Sequence, residues 1–272
     1  MRRVQVGMAL TAGMLMTAIP SQATAIQDGQ AADPDEFTNV AVLRFIDTDT
    51  NTRWRCSGTL VSPDVIITAA HCTEGADIVY YSFAPVRPTT EPDAPGDTGW
   101  TLGGSNLDAE QSIFTDPDWD GDLQMQSLDD IGVIVLDDAV AGIEPATIAP
   151  LGTLDGLPRG TLFTLAGYGI HYVKPTEGPR KPTPVAGLER SWTTSPLSNL
   201  TTDTLMLAAS PDDKRGGGTI CSGDSGGPVF YEGMLVAVTS WGSSIFCRSG
   251  QAGFQRLDTA DAYEFYGPFL EG

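Results

Sequence analysis

Basic residues are scarce in this sequence, and their scarcity excludes one broad class of function. Only 15 of the 272 residues are Lys or Arg, against 35 Asp or Glu, and the formal net charge is −20. A nucleic-acid-binding surface needs clustered Lys and Arg to displace phosphate counterions. We therefore expect no nucleic-acid partner, and the acidity indicates mainly a soluble, mutually repulsive protein.

Histidine and cysteine are also few. The chain has two histidines and four cysteines, and none of the cysteines has the CxxC spacing of a zinc site. We therefore expect no metal and no cofactor. Hydrophobic residues make up 41% of the chain, which is enough for a packed core and argues against disorder.

Long apolar runs are absent except near the amino terminus. Arg2 and Arg3 form a short basic start, residues 6–18 are mostly apolar, and Ala23 and Ala25 are small residues where a signal peptidase reads. We interpret residues 1–25 as a signal peptide rather than a membrane anchor, because the apolar stretch is short and interrupted. Its removal takes away two arginines and no acid, which leaves a net charge of about −22. The mature protein is expected to be secreted, extracellular and free of the membrane, and an oxidising compartment favours two disulfides.

Short apolar or β-branched runs, separated by turn residues, follow the signal segment. The 31 Gly and 19 Pro favour many turns over long helices. The runs are typical of an all-β barrel or sandwich, and they cover residues 40–46, 57–61, 65–68, 78–83, 131–136, 162–166, 205–208, 229–230 and 234–239. Residues 84–99 and 173–187 are predicted to be surface loops, and residues 259–265 a short helix.

Three separated segments carry residues suited to nucleophilic catalysis. The first is Thr-Ala-Ala-His-Cys at 68–72, the second is Asp-Asp-Ile-Gly-Val at 129–133, and the third is Cys-Ser-Gly-Asp-Ser-Gly-Gly-Pro at 221–228. A serine hydroxyl needs a neighbouring base, and histidine titrates near neutrality. A base, a carboxylate that orients it and a serine within GDSGGP form a specific combination.

On these residues the chain resembles the trypsin/chymotrypsin family of serine peptidases. The resemblance extends to Ile-Gln-Asp-Gly at 26–29, Cys-Ser-Gly-Thr-Leu at 56–60, Asp-Pro-Asp-Trp at 116–119, Gly-Tyr-Gly at 167–169 and Ser-Trp-Gly at 240–242. It implies one peptidase domain over 26–272, made of two six-stranded antiparallel β-barrels and a short C-terminal helix. The two halves would cover roughly 26–150 and 151–272, with the active site in the cleft between them.

The resemblance also assigns catalytic roles. His71 would be the general base, Asp130 the carboxylate that orients it and Ser225 the nucleophile. The backbone N–H groups of Gly223 and Ser225 would form the oxyanion hole. His171 is expected to lie in a loop away from the site. Asp129, next to Asp130 on an extended strand, would point to the opposite side and be solvated.

The mature amino terminus has an expected role as well. By resemblance, the ammonium of Ile26 would pair with buried Asp224. Cleavage after Ala25 exposes Ile26 directly, so we expect the enzyme to mature on export without a second protease.

The substrate pocket and the disulfides follow from the same resemblance. Thr219 would form the pocket base with Ile220 beside it, Gly242 and Gly253 would flank the pocket, and Ser240 and Trp241 belong to the strand that receives substrate. Since Thr219 carries no charge, we expect cleavage after aromatic or large aliphatic residues rather than after Lys or Arg. The implied disulfides are Cys56–Cys72 and Cys221–Cys247, each worth roughly 3 kcal/mol on a chain-entropy estimate.

The sequence contains two further motifs and leaves two alternative functions open. Residues 116–122 resemble a calcium loop, but Ser127 stands where such a loop needs a bidentate Glu, and Asn199 begins a glycosylation acceptor sequence. The alternatives to a peptidase are a catalytically silent homologue that acts as a binding module and an esterase with the same triad. The expected partners are protein or peptide substrates and protein inhibitors, and the expected state is a monomer.

Overall fold

The computed structural model describes residues 26–107, 110–121, 129–173, 181–209, 217–243, 247 and 250–271. The predicted signal segment, 1–25, lies outside the described residues. Among the helices in these ranges, none is both long enough and apolar enough to cross a membrane.

Short strands are the predominant regular secondary structure of the described residues. In the first half they are β1 (Gln30–Ala31), β2 (Val40–Asp47), β3 (Thr52–Ser62), β4 (Val65–Thr68), β5 (Ile78–Ser82), β6 (Thr101–Ser105), β7 (Ile113–Thr115) and β8 (Gly132–Val135). In the second half they are β9 (Leu162–Gly167), β10 (Ile170–Val173), β11 (Thr183–Ala186), β12 (Ser191–Leu200), β13 (Thr204–Ala209), β14 (Pro228–Tyr231), β15 (Met234–Gly242) and β16 (Gly250–Arg256). The helices are α1 (Ala70–Thr73) and α2 (Ala260–Tyr266), and a 3-10 turn follows at Gly267–Leu270.

The strands form two barrel-like antiparallel sheets. The first has the order β6-β5-β2-β3-β4-β8-β7 and is nearly closed. In the second, β12 pairs with both β13 and β9, which closes β9, β12, β13, β16, β15 and β14 into a ring, and β1 is added to β12. The predicted all-β double barrel with a C-terminal helix is therefore confirmed. The described first sheet has seven strands rather than six because the short segment before Asp116 pairs with β8 as β7.

Three apolar clusters stabilise this arrangement. One fills each barrel, with Phe45 and Ile66 in the first and Phe163 and Phe254 in the second. The third lies between the barrels and joins residues of both to Tyr266 of α2. Because β4 is buried at all four positions, the segment leading to the histidine is held firmly.

Local sequence explains the tight connections. Glu232 and Gly233 join β14 to β15, and both have positive φ (49° and 81°), as a two-residue type I′ hairpin requires. The predicted C-terminal helix is found as α2. The Thr259 side chain caps it by accepting a hydrogen bond from the backbone N–H of Ala262.

The sequence prediction was wrong in detail at several places: the predicted runs do not cover β6, β7 or β16, and two further differences have clear physical reasons. The predicted loop over 173–187 contains strand β11, which forms a hairpin with β10. The paired residues run from Ile170 with Ala186 to Val173 with Thr183. Strand β12 was missed because its residues are mostly polar and include Pro196. In the structure Pro196 is the last partner of β9, and from Leu197 onward the strand pairs with β13 instead. By contrast, residues 84–99 contain neither a helix nor a strand.

Candidate active site

Antiparallel pairing of β4 and β8 brings the histidine and aspartate segments together. Thr68, the last residue of β4, pairs with Gly132, the first residue of β8. His71 follows Thr68 by three residues in α1, and Asp130 precedes Gly132 by two. Because the end of one antiparallel strand meets the start of its neighbour, the two side chains emerge at the same edge of the barrel.

Asp130 is fully buried and accepts hydrogen bonds from three groups. Its oxygens lie 2.9 and 3.1 Å from Nδ1 of His71 and 2.9 Å from the backbone nitrogen of His71. The Ser240 hydroxyl donates to Oδ2 at 2.6 Å. A buried carboxylate requires such partners, and together they fix the imidazole with Nδ1 toward Asp130. The ring of Trp119, from the Asp-Pro-Asp-Trp turn, has its centroid 6.4 Å from that of His71.

Ser225 lies on a loop that is attached to both barrels. Its carbonyl accepts from the backbone N–H of Ser57 in β3 at 2.8 Å. The next residue, Gly226, donates to Thr239 of β15 at 2.8 Å. Gly226 has φ +72°, a conformation that side chains rarely adopt, so glycine is required at this sharp turn. The loop therefore places Ser225 at the junction of the two sheets.

The backbone of Gly223 is similarly constrained. Its φ is +96°, and its carbonyl accepts a hydrogen bond from the Ser57 hydroxyl at 2.9 Å. A Cβ at this position would lie 3.1 Å from Cα of Gly169. The sequence did not reveal that Ser57 holds the carbonyl of Gly223 in place.

Asp224 is buried next to this loop. Its carboxylate accepts from the backbone N–H groups of Gly169 at 2.8 Å and Cys221 at 2.9 Å. Burial raises its pKa to about 7, although these two hydrogen bonds and the charge of Arg55 act in the opposite direction. The carboxylate is thus placed where a further positive charge would stabilise its ionised form.

Ile26 is inserted into the second barrel near this loop. Its side chain is fully buried among the apolar residues there. The next residue, Gln27, makes two backbone hydrogen bonds with Thr219, at 3.0 and 3.1 Å. The chain start expected by resemblance therefore lies against the segment that leads to Asp224.

A cavity of about 240 Å³ opens over the serine. It is lined by His71, Ile220, Cys221, Ser222, Ser225, Ser240, Trp241, Gly242 and Cys247. Apart from His71, none of these lining residues carries an ionisable side chain, since both cysteines form disulfides. The structure thus brings His71, Ser225 and four of the six expected pocket residues to one cleft.

Thr219 and Gly253 lie behind this cleft rather than on its surface. Thr219 is buried and paired with Gln27. Gly253 pairs with Trp241, and a Cβ on Gly253 would collide with the indole ring. The indole is itself buried against this glycine, so Trp241 occupies the space in front of it.

Both disulfides implied by the resemblance are present. Cys56–Cys72 joins β3 to the helical turn of His71, and Cys221–Cys247 joins the serine loop to the segment after β15. The chain separations are 16 and 26 residues. Each bridge therefore supports one side of the cleft.

The expectation for Asp129 was wrong. Its φ is +59°, so the backbone turns before β8 begins, and the residue is not on an extended strand. The side chain is half-buried near Asp116 and hydrogen-bonded to Asp261. Burial, followed by the charges of these neighbouring acids, raises the pKa of Asp129 to about 7. His171 lies in strand β10 rather than in the expected loop, and it is outside the residues that line the cleft.

Two β-barrels that share a cleft with a serine, a histidine and a buried aspartate are the arrangement of chymotrypsin-like serine hydrolases. A family model described as Trypsin matches residues 26–261. The chain belongs to the trypsin family of serine endopeptidases.

Curated relatives agree with this assignment. Brachyurin of Leptuca pugilator is 29% identical over 238 residues, covering 83% of this chain and 90% of its own length. Chymotrypsin of Phaedon cochleariae is 28% identical over 221 residues, covering 76% of this chain and 70% of its own length. These relatives support a peptidase and leave the specificity of this chain open.

Solved structures agree on the fold. HL collagenase superposes with a TM-score of 0.66 and 21% identity, covering 91% of this chain and 99% of its own. Human heparin binding protein gives 0.61 and 16%, covering 91% and 97%.

Proposed function

We propose that this chain is an active, secreted serine endopeptidase that hydrolyses peptide bonds through an acyl-enzyme intermediate. The observation that carries the proposal is the hydrogen-bonded pair of His71 and buried Asp130, in the same cleft as Ser225. The first two residues come from the first barrel and Ser225 from the second, so the complete set exists only where the barrels meet.

The proposed reaction uses each side chain in turn. Ser225 Oγ attacks the carbonyl carbon of the scissile bond, and its proton passes to Nε2 of His71. The C–N bond then breaks as His71 gives that proton to the departing amine. A water molecule, activated by the same base, attacks the resulting ester, which releases the new carboxyl group and restores Ser225. Asp130 holds Nδ1–H of His71 throughout.

The backbone N–H groups of Gly223 and Ser225 would stabilise the negative oxygen of the tetrahedral intermediate. The backbone N–H of Ile170 donates to the Ser222 carbonyl at 2.9 Å, and this supports the role, because that carbonyl and the Gly223 N–H belong to the same peptide unit. Loss of one such donor costs roughly 3 kcal/mol in transition-state stabilisation in related sites.

Maturation would couple export to activity. We propose that residues 1–25 are a signal peptide and 26–272 the peptidase, and that cleavage after Ala25 frees the Ile26 ammonium to pair with Asp224. The buried side chain of Ile26 and its position beside Thr219 support this pairing. Amino-terminal sequencing of secreted protein tests it, and a mature start at Thr24 or Asp28 would contradict it.

The cleft favours an uncharged side chain before the scissile bond. Ile220, Trp241 and Gly242 offer no carboxylate to pair with Lys or Arg. We propose cleavage after aromatic or large aliphatic residues, with Thr219 at the base of the pocket and Gly253 behind Trp241. A panel of peptides that differ only at this position tests the preference, and strong selection of Lys or Arg would contradict it.

One experiment tests the activity itself. Purified protein that begins at Ile26 is treated with a serine-directed phosphonate and then with casein, and Ser225→Ala is the control. We expect stoichiometric labelling and casein cleavage in the native protein and neither in the variant. Labelling without cleavage of any protein or peptide would indicate an esterase, and no labelling of processed protein would indicate a silent binding module.

A further inference from the structure

Four arginines lie near one another on and beside β2 and β3 of this acidic protein, and one of them reaches the serine loop. Arg44 of β2 and Arg55 of β3 are directly opposite each other in the sheet, and Arg53 is two residues from Arg55. Arg87, from the segment between β5 and β6, is close enough to lower the pKa of Arg55. Like charges placed opposite each other destabilise a sheet. The acceptors that each arginine contacts therefore show whether its charge is compensated within the fold.

Three of these arginines already have acceptors. Arg44 forms a two-pronged ion pair with Glu91, with N–O distances between 2.8 and 3.2 Å. Arg53 does the same with Asp93, at 2.7 and 2.8 Å. Arg87 donates to the carbonyl of Gly187 at 2.8 Å and to that of Pro88 at 3.2 Å.

Arg55 differs from the other three. Its Nε is buried and has no hydrogen-bond partner among the described residues. Burial lowers its pKa to about 10, helped by the charges of Arg87 and Arg44, so the group is still charged at neutral pH. The oxygens of Asp224 accept from backbone N–H groups, so the attraction between Asp224 and Arg55 is one of charge alone. A buried charged donor without an acceptor is unfavourable. Arg55 as a whole is only partly buried, so a carboxylate at its guanidinium would offset this cost through its charge.

The position of Arg55 indicates which part of a bound substrate could supply such a carboxylate. A Cβ added to Gly223 would lie 3.1 Å from Nη2 and 3.2 Å from Nε of Arg55. The guanidinium therefore lies beside the serine loop on the β3 side. The wall formed by Ser240, Trp241 and Gly242 belongs to β15. If the acyl part of a peptide lies along β15, as the resemblance implies, the part that departs would lie on the side of Arg55.

We propose that Arg55 binds the carboxylate of an Asp or Glu side chain located within the first two residues after the scissile bond. The inference rests on the proposed serine-peptidase function, and it adds a second determinant of specificity. The planar fork of arginine suits a carboxylate, and the partners of Arg44, Arg53 and Arg87 keep those groups from competing for it. Substrates would be peptides with an uncharged side chain before the cut and an acid after it.

The test compares internally quenched peptides that are identical up to the scissile bond and amidated at the C-terminus. They carry Glu, Gln or Lys at the first or second position after the bond. At low salt we expect kcat/KM for Glu to exceed that for Gln by about tenfold or more, as befits a charge-assisted contact. The Lys peptide should be the poorest substrate, and added salt should weaken the preference.

Variants show whether Arg55 is responsible. Arg55→Gln should bring the Glu/Gln ratio of kcat/KM to about one, and Arg55→Lys should retain part of the preference. Arg159→Gln is the matched control, because it removes the same charge from an exposed position outside the cleft. It should keep the ratio of the native protein.

A 4-nitroanilide, which has no peptide after the cleaved bond, separates recognition from support of the loop. If Arg55→Gln lowers kcat/KM equally for the anilide and for every peptide, Arg55 only supports Gly223 and the inference is overturned. A native protein that cleaves the peptides without preferring Glu also overturns it, while the proposed function stands. Absence of both cleavage and phosphonate labelling overturns the two together.

Discussion

The state of the amino terminus should control activity through Asp224. The pKa of this buried carboxyl is about 7 in a chain that continues upstream of Ile26, against 3.8 for an ordinary aspartate. An ammonium at Ile26 that restores the ordinary value would contribute about three pKa units, or about 4 kcal/mol. Removing one partner of a buried ion pair typically costs a similar amount, about 3–5 kcal/mol.

We therefore compare protein that begins at Ile26 with protein that retains Ala25 and is otherwise identical. The second form should show kcat/KM for a peptide anilide about a thousandfold lower, since each 1.4 kcal/mol corresponds to a factor of ten. Its phosphonate labelling rate should fall by a similar factor. Mass spectrometry confirms the two amino termini before the assay.

Two variants complete this experiment. Ile26→Val keeps the ammonium and a β-branched apolar side chain, so it should keep most of the activity. Asp224→Asn removes the carboxylate and should be poorly active even when the chain begins at Ile26. If the form that retains Ala25 is labelled within about threefold of the rate of the processed form, the pairing does not organise the site and the reasoning is refuted.

Three further changes test other features of the structure. Ser240→Ala removes a hydrogen bond to the buried carboxyl of Asp130, so kcat should fall about 10- to 100-fold with little change in KM. A large change in KM alone would contradict this role. The pKa of Asp129 is raised in the folded protein. The contribution of this residue to the free energy of unfolding is therefore fully present below about pH 4 and is lost as pH rises through about 7. Asn at position 129 tolerates the positive φ and can still hydrogen-bond Asp261. Asp129→Asn should therefore raise Tm at pH 8 by a few degrees, which corresponds to about 1 kcal/mol after allowance for solvent screening, and should have little effect at pH 4. An equal change in Tm at both pH values would refute the explanation. Gly226→Ala forces a side chain onto a residue with φ +72° and places Cβ 2.6 Å from a backbone oxygen of β3. The free energy of unfolding, measured by urea titration, should therefore fall by at least about 2 kcal/mol. An unchanged midpoint would show that the loop can rearrange.

The fold was predictable where a strand is apolar and continuous. Strand β4 has the bounds expected from its run of β-branched residues, and β8 differs from its run by one residue at each end. Strand β12 could not be found in this way, because its polar residues and Pro196 are accommodated by a change of partner halfway along. Such a change depends on strands that are distant in the sequence.

The parts of the site that lie within recognisable sequence motifs were predictable. The segments with His71, Asp130 and Ser225 could be recognised, and the structure places His71 and Ser225 in one cleft with Asp130 bonded to His71. The contact between Ser240 and Asp130 spans 110 residues of chain and has no local signal. The unsatisfied Nε of Arg55 was equally hidden, because it depends on which neighbouring groups already have acceptors.

The hydrogen bond from Ser240 to Asp130 has a consequence for how the enzyme should fail on heating. It joins the second barrel to a carboxylate of the first, while each barrel has its own apolar interior and a third apolar cluster holds the two barrels together. A small rigid-body separation of the barrels would break this bond without disturbing either sheet. Catalysis should then disappear at a lower temperature than the β-sheet circular dichroism signal, and early inactivation should reverse fully on cooling. The activity of this enzyme would thus serve as a sensor of how tightly its two halves are docked.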